Sequence, residues 1–256
     1  MKKDSKVEFL REKNLEKAIE LIKEKGKFAV LSEYSAFFDM RTYFKVNEDG
    51  DIFQKSYNPI TLLYLFCDDE KNLAEYLFKY SYPEEKQNIK KIDRTSNLDI
   101  ESLKKNLIKT LVNSHLDFSK TFAKELFLRD KKAFFEVMYS FSLMGNPKDL
   151  KLFFVYALEK IFSKIAYDEN IFYTIIAYLT KFRDDYSIYM EASNISFDVA
   201  ETYSDDKKIY INIFEKVLEK YNLKNENKFR ASLYKYFEKD FTLNQDLKNI
   251  LMEKMI

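Results

Sequence analysis

From Asp130 to Pro147 the chain reads Asp-Lys-Lys-Ala-Phe-Phe-Glu-Val-Met-Tyr-Ser-Phe-Ser-Leu-Met-Gly-Asn-Pro. An aspartate suited to N-capping opens a run, 131–144, that contains no breaker. Gly145 stands where a helix end favours a left-handed residue. Asn146-Pro147 then supplies a second N-cap with proline at the first helical position. One helix stops and another starts within three residues, the signature of a helical hairpin.

The same grammar extends in both directions. Gly26 closes an amphipathic run over 7–25, with Leu10, Ala18, Ile19 and Ile22 at helical spacing. Asp69 precedes 70–80, Asp99 precedes 100–113, Asp117 precedes 118–128, and Asp168 precedes 169–182. Asp205, Asn225 and Thr242 mark the last three starts. The 256 residues hold three glycines and three prolines. Part of that scarcity fits a genome rich in A and T, because Lys, Asn, Ile, Phe and Tyr are abundant as well. Codon bias does not choose positions, however, and five of the six breakers fall at proposed helix boundaries.

The sixth, Gly50, lies between two β-prone runs in Thr-Tyr-Phe-Lys-Val-Asn-Glu-Asp-Gly-Asp-Ile-Phe-Gln-Lys, and Asp49-Gly50 is a strong hairpin signal. The reading is a two-stranded hairpin within 42–55. Since an isolated hairpin is marginal, Phe44, Val46, Ile52 and Phe53 are expected to pack some of their apolar surface on neighbouring helices.

The predicted fold is all-α: about eleven to thirteen short helices in antiparallel pairs, stacked as an α-solenoid-like array or a multi-helix bundle, with this one hairpin. The chain reads as a single helical domain over 1–256. If it has a sub-domain boundary, the weakly periodic stretch at 83–98 is the place. Asn58-Pro59-Ile60-Thr61-Leu62-Leu63, followed by Asn72-Leu73-Ala74-Glu75-Tyr76-Leu77-Phe78, resembles the opening and second helix of an ankyrin repeat. The likeness covers one unit, about 58–80, and implies a divergent helical-repeat protein of the kind that binds proteins.

Composition narrows the function. Basic and acidic residues number 43 and 42, so no whole-molecule field favours nucleic acid or an anionic membrane. One cysteine, Cys67, excludes an internal disulfide, and one histidine with one cysteine leaves no ordinary zinc set. No pattern calls for a cofactor or a metal. The first residues show no secretory h-region and no apolar cluster is long enough to span a bilayer, so a cytoplasmic protein is expected.

Candidate chemistry is sparse. His115 sits beside Asp117, which would fix an imidazole tautomer, but a histidine at a helix end also suits the dipole there. Cys67 follows Leu65-Phe66 and precedes Asp68-Asp69-Glu70, a setting that opposes a thiolate and suits a buried thiol. The pairs Asp184-Asp185 and Asp205-Asp206 read as helix-start caps. Glu8, Glu12, Glu16, Glu20 and Glu24 form an acidic stripe along the first helix, offset by nearby lysines. Lys86, Lys90, Lys91 and Arg94, with Tyr80 and Tyr82, offer a short basic segment for a nucleic acid. Most phenylalanines follow core faces. Tyr173, Tyr178, Tyr186 and Tyr189 are concentrated in one region, where phenols suit a partner-binding groove.

The leading expectation is a non-catalytic scaffold that binds a protein or peptide, with Tyr173, Tyr178, Tyr186 and Tyr189 as its contact residues. The alternatives are a nucleic-acid-associated protein using 86–94, and an enzyme using His115 or Cys67.

Overall fold

The computed structural model describes residues 5–39, 44–54, 57–87, 95–192 and 203–255. Among these the chain is all-α apart from one hairpin. The first helices are α1 (Ser5–Glu12), α2 (Leu15–Lys25) and α3 (Lys27–Tyr34), followed by β1 (Phe44–Val46) and β2 (Ile52–Gln54). Then come α4 (Ile60–Phe66), α5 (Glu70–Lys79), α6 (Ile100–Val112), α7 (Leu116–Arg129), α8 (Lys131–Met144) and α9 (Lys151–Lys164). The last are α10 (Glu169–Lys181), α11 (Ser187–Glu191), α12 (Asp205–Lys220), α13 (Glu226–Phe237) and α14 (Gln245–Met255). Two compact units divide the chain: residues 1–91 with 160–178, and residues 92–159 with 179–256.

In the first unit α2 packs on α3 and α5, and α4 packs on α3 and α5. The core comes from the apolar faces of these helices, with Ala18, Ile22, Val30, Leu62, Leu63, Leu73 and Leu77 all buried. Polar side chains tie the ends together. The Asn58 amide donates to the Phe38 and Tyr80 carbonyls, both at 2.8 Å, while its oxygen accepts from the Ile60 N–H. Lys27 Nζ donates to the Cys67 carbonyl and to Asp68 Oδ1, each at 2.7 Å, which places a cation at the carbonyl end of α4.

In the second unit α6, α7 and α8 pack mutually, α8 and α11 contact α13, and α12 contacts α14. Leu103, Leu107, Leu126, Phe134, Met138 and Phe141 fill its interior. The buried Glu159 carboxylate accepts from the Tyr139 hydroxyl at 2.6 Å, from Lys220 Nζ at 2.6 Å and from the Tyr221 hydroxyl. Three donors offset its desolvation, and together they hold the carboxyl below its ordinary pKa although burial pushes the other way.

The predicted caps hold at Asp69, Asp99, Asp130 and Asp168, each of which accepts from the backbone N–H three residues on, at 2.7–2.9 Å. Three others are displaced: α7 starts at Leu116, ahead of Asp117, Asp205 lies inside α12 after Ser204, and Asn244 rather than Thr242 accepts from the Asp246 and Leu247 N–H at the start of α14. Three further local readings need correction. The run over 7–25 is two helices: Lys13 takes φ 50° and the Asn14 side chain caps α2 through the Lys17 N–H at 3.0 Å. The glutamate stripe is therefore split between α1 and α2. The helix expected from Pro147 begins as a short 3-10 turn, Pro147–Asp149, then passes through Leu150 at φ 51° before α9. Gly145 is not left-handed. Its φ of −87° and ψ of −179° are extended backbone that any residue adopts, so its identity has another cause.

Candidate functional site

The four tyrosines do not form one surface. Tyr173 and Tyr178 are buried in α10 and belong to the first unit, so neither offers its ring to a partner in the folded chain. Tyr186 and Tyr189 belong to the second unit and are half-buried. Tyr189 stacks on Phe229 at 5.5 Å between ring centres, accepts at its hydroxyl from the Asn225 amide at 3.1 Å, and lies under Lys228 Nζ. Helical periodicity had put these rings on faces; burial depends on what covers each face, which periodicity does not report.

The other candidates also settle. Cys67 is buried in the first unit, and burial pushes its thiol pKa up. His115, in the second unit, is exposed and makes the turn into α7, its backbone N–H donating to the Thr110 carbonyl at 2.9 Å. Of the basic segment, Lys90, Lys91 and Arg94 lie outside the described residues. Lys86 sits over the Phe37 ring at 5.6 Å, and Tyr80 is buried and closed to base stacking. Among the described residues no group of His, Cys, Asp and Glu is arranged to hold a metal ion, and no helix is long and apolar enough to cross a membrane.

The exposed apolar surface is concentrated on the hairpin. β1 and β2 pair antiparallel with Phe44 opposite Gln54, Lys45 opposite Phe53 and Val46 opposite Ile52. That register puts Phe44, Val46 and Ile52 on one face and Phe53 on the other. Part of their apolar surface was expected on helices, and a large part of each stays in water: they are 44%, 61%, 69% and 53% exposed. They make up four of the eight large hydrophobic residues that are exposed among the described residues. The connecting loop is tightly made: Asn47 Oδ1 accepts from the Asp51 N–H at 2.8 Å, the Gly50 N–H donates to the Asn47 carbonyl, and Gly50 takes φ 88°. Glu48, Asp49 and Asp51 stand exposed at this tip. Among the described residues the sheet has two strands, each of them an edge strand.

The second unit holds the opposite arrangement, charge inside the core. The Asp184 side chain is wholly buried and lies 2.5 Å from Nζ of the equally buried Lys151, an ion-pair contact rather than an aligned hydrogen bond. Asp184 Oδ1 accepts from the Asn146 N–H at 3.2 Å. Lys151 Nζ also sits 4.7 Å from the centre of the Phe141 ring. Burial, then the neighbouring Asp184, raise the Asp149 carboxyl to about 8. Burial lowers Lys151, against the pull of Asp184. Gly145 now has its reason. A Cβ there would fall 2.6 Å from Cγ and Oδ2 of Asp184. Beside the turn, Asn146, Pro147 and Lys148 with Tyr236, Phe237, Lys239 and Phe241 line a cavity of about 230 Å³. Another of about 180 Å³ lies between α12 and α13, lined by Tyr203, Ile211, Phe214, Arg230, Leu233 and Tyr234 among others.

No family model, curated protein or solved structure matches this chain.

Proposed function

We propose that the chain is a non-catalytic helical scaffold that binds another protein through the 44–54 hairpin. The partner is an extended segment in which apolar residues alternate with basic ones. The observation behind this reading is the concentration of exposed hydrophobic side chains on one short element. Single exposed leucines or valines need no explanation, whereas a contiguous apolar face is a feature soluble proteins avoid unless it is used. The edge strands offer backbone groups for strand addition, and the apolar face offers side-chain contacts to a segment laid along it. The acidic tip, Glu48, Asp49 and Asp51, favours cationic residues on that segment and disfavours acidic ones. The resemblance of 58–80 to an ankyrin unit agrees with a binding role by analogy.

The test places a photo-reactive phenylalanine analogue at Phe44, on the face shared with Val46 and Ile52, and, as a control, at Phe118, which is 60% exposed and lies outside the hairpin. In the native host, the Phe44 position is expected to cross-link one protein at a mapped segment of alternating apolar and basic residues. Val46→Lys with Ile52→Lys removes that product, and high salt weakens it. The reading fails if the two positions give the same products, or if the Phe44 position cross-links only lipid or a second copy of this chain.

A further inference from the structure

We propose that the cavity between α12 and α13 is a binding site for a small, uncharged aromatic molecule of one ring. Its walls follow from helical spacing. Ile211, Phe214 and Glu215 lie on one stripe of α12, and Arg230, Leu233, Tyr234 and Phe237 on one stripe of α13. The two stripes leave about 180 Å³ between them. A dry cavity of about 150 Å³ holds one benzene ring, and drug-sized ligands occupy about 300 Å³ or more, so the space fits a single ring with one short substituent. Phe214 and Phe237 are buried, while Tyr203, Ile211, Leu233 and Tyr234 are half-buried. A ring placed among them covers apolar surface that water now touches.

Charge decides the class of ring. The charged residues that line the cavity, Glu215 and Arg230, are partners of each other. The Arg230 guanidinium forks onto both Glu215 oxygens, with Nη2 2.7 Å from Oε2, and its Nη2 and Nε also donate to Glu226 Oε1 at 2.9 and 3.2 Å. It lies 5.8 Å from the centre of the Phe214 ring. Lys207 Nζ is committed as well, donating to the Phe237 carbonyl at 2.6 Å and lying 5.7 Å from the centre of that ring. An anionic ligand therefore meets Glu215 beside a cation already shared between two carboxylates. A cationic ligand meets Arg230 and Lys207. Either one displaces an existing pair or brings in a charge that nothing balances, and a neutral ring does neither.

Access comes from the neighbouring surface. An open groove of about 470 Å³ along α12 is lined by Lys208, Asn212, Lys216 and Glu219, and it shares Tyr203, Ile211 and Glu215 with the cavity. It leads into the cavity from water. The rings and aliphatic side chains take the aromatic body, and the polar groove keeps the substituent hydrated. Two lysines and two glutamates border this groove, with Lys208 Nζ 3.6 Å from Asp205 Oδ1, so the way in favours neither sign of charge.

The experiment titrates benzyl alcohol, benzoate and benzylamine into the isotope-labelled full chain at neutral pH and follows its amide and methyl NMR signals. The three probes share one ring and differ in carrying a neutral, an anionic or a cationic substituent. Benzyl alcohol is expected to shift the signals of Ile211 and Leu233 with a Kd of about 1 mM or below, and each ion to bind at least about tenfold more weakly. Leu233→Phe fills the space with a ring of the chain's own and is expected to weaken benzyl alcohol by at least about tenfold. Intermolecular nuclear Overhauser effects from the bound ring to the methyl groups of Ile211 and Leu233 decide the matter in the unmodified chain, even if the variant does not fold. Effects to both residues support the proposal. Equal affinity for the three probes, no saturation by about 10 mM benzyl alcohol, unchanged binding in folded Leu233→Phe, or contacts confined to other residues such as Phe44 and Val46 overturn it.

Discussion

The hairpin at 44–54 and the turn at 145–150 invert the usual assignment of side chains in opposite ways. The hairpin holds Phe44, Val46, Ile52 and Phe53 in water, while the turn holds Lys151 and Asp184 out of it. Each arrangement is costly by itself, and the costs differ in kind. Exposed apolar area forfeits burial that a partner restores, and leaves the rest of the molecule undisturbed. Buried charge has no such deferral. Its compensation lies within the folded chain, in the ion pair and the Asn146 N–H. An element whose deficit another molecule can meet is suited to binding; one whose deficit is met internally is suited to holding the fold in a single arrangement.

The sharpest way to break this comparison is Lys151→Met. The substitution keeps much of the side-chain volume and removes the buried cation that pairs with Asp184. It leaves an uncompensated buried carboxylate, and a loss of about 3–5 kcal/mol is expected in urea denaturation. A near-neutral result would mean that water or protonation relieves Asp184, and that the turn is less closed than its 2.5 Å ion-pair contact indicates.

The two glycines sharpen it next. Gly145→Ala puts a methyl carbon 2.6 Å from the Asp184 carboxyl at an unstrained φ of −87°. Its expected cost, about 1–3 kcal/mol of global stability, is overpacking. Gly50→Ala meets nothing within 4 Å, but sits at φ 88°. Its cost of roughly 1–2 kcal/mol is conformational and local to the hairpin. Urea denaturation should register the first substitution, and amide exchange within 44–54 the second. Reversed readouts would assign the wrong cause to each glycine.

Much of the fold was legible because capping is local. Asp69, Asp99, Asp130 and Asp168 act within three residues of themselves, and a sequence displays that distance directly. The break at Lys13-Asn14 was equally local and was overlooked because the apolar spacing continues through it. The acidic pairs show where legibility ends. In Asp184-Asp185, read as helix-start caps, Asp185 does accept from the Ser187 N–H at 2.9 Å, while Asp184 turns into the core toward Lys151. In Asp205-Asp206, Asp206 accepts from the Leu243 N–H and pairs with Lys248 at 2.6 Å. In Asp68-Asp69, Asp69 caps α5 and Asp68 pairs with Lys27. One member of each pair does local work and the other makes a tertiary tie whose partner lies far along the chain. Residue type is the same for both, so the sequence does not separate them. Tyr173 and Tyr189 also share a residue type and differ in burial, one fully buried and the other only partly so.

The smallest expected effect is the most discriminating for the hairpin. Val46→Thr and Ile52→Thr keep β-branching, and hence strand preference, while making the face polar. Because both side chains are more than half exposed, 61% and 69%, each change should alter stability by no more than about 0.5 kcal/mol in urea denaturation. The same substitution at Ile22, 3% exposed, should cost several times as much, since it removes buried apolar area and strands a hydroxyl in the core. A loss above about 1 kcal/mol at position 46 or 52 would show that the face is already covered within the folded chain. The hairpin would then share the logic of the 145–150 turn, with its deficit met internally, and no apolar surface would be left there for a partner.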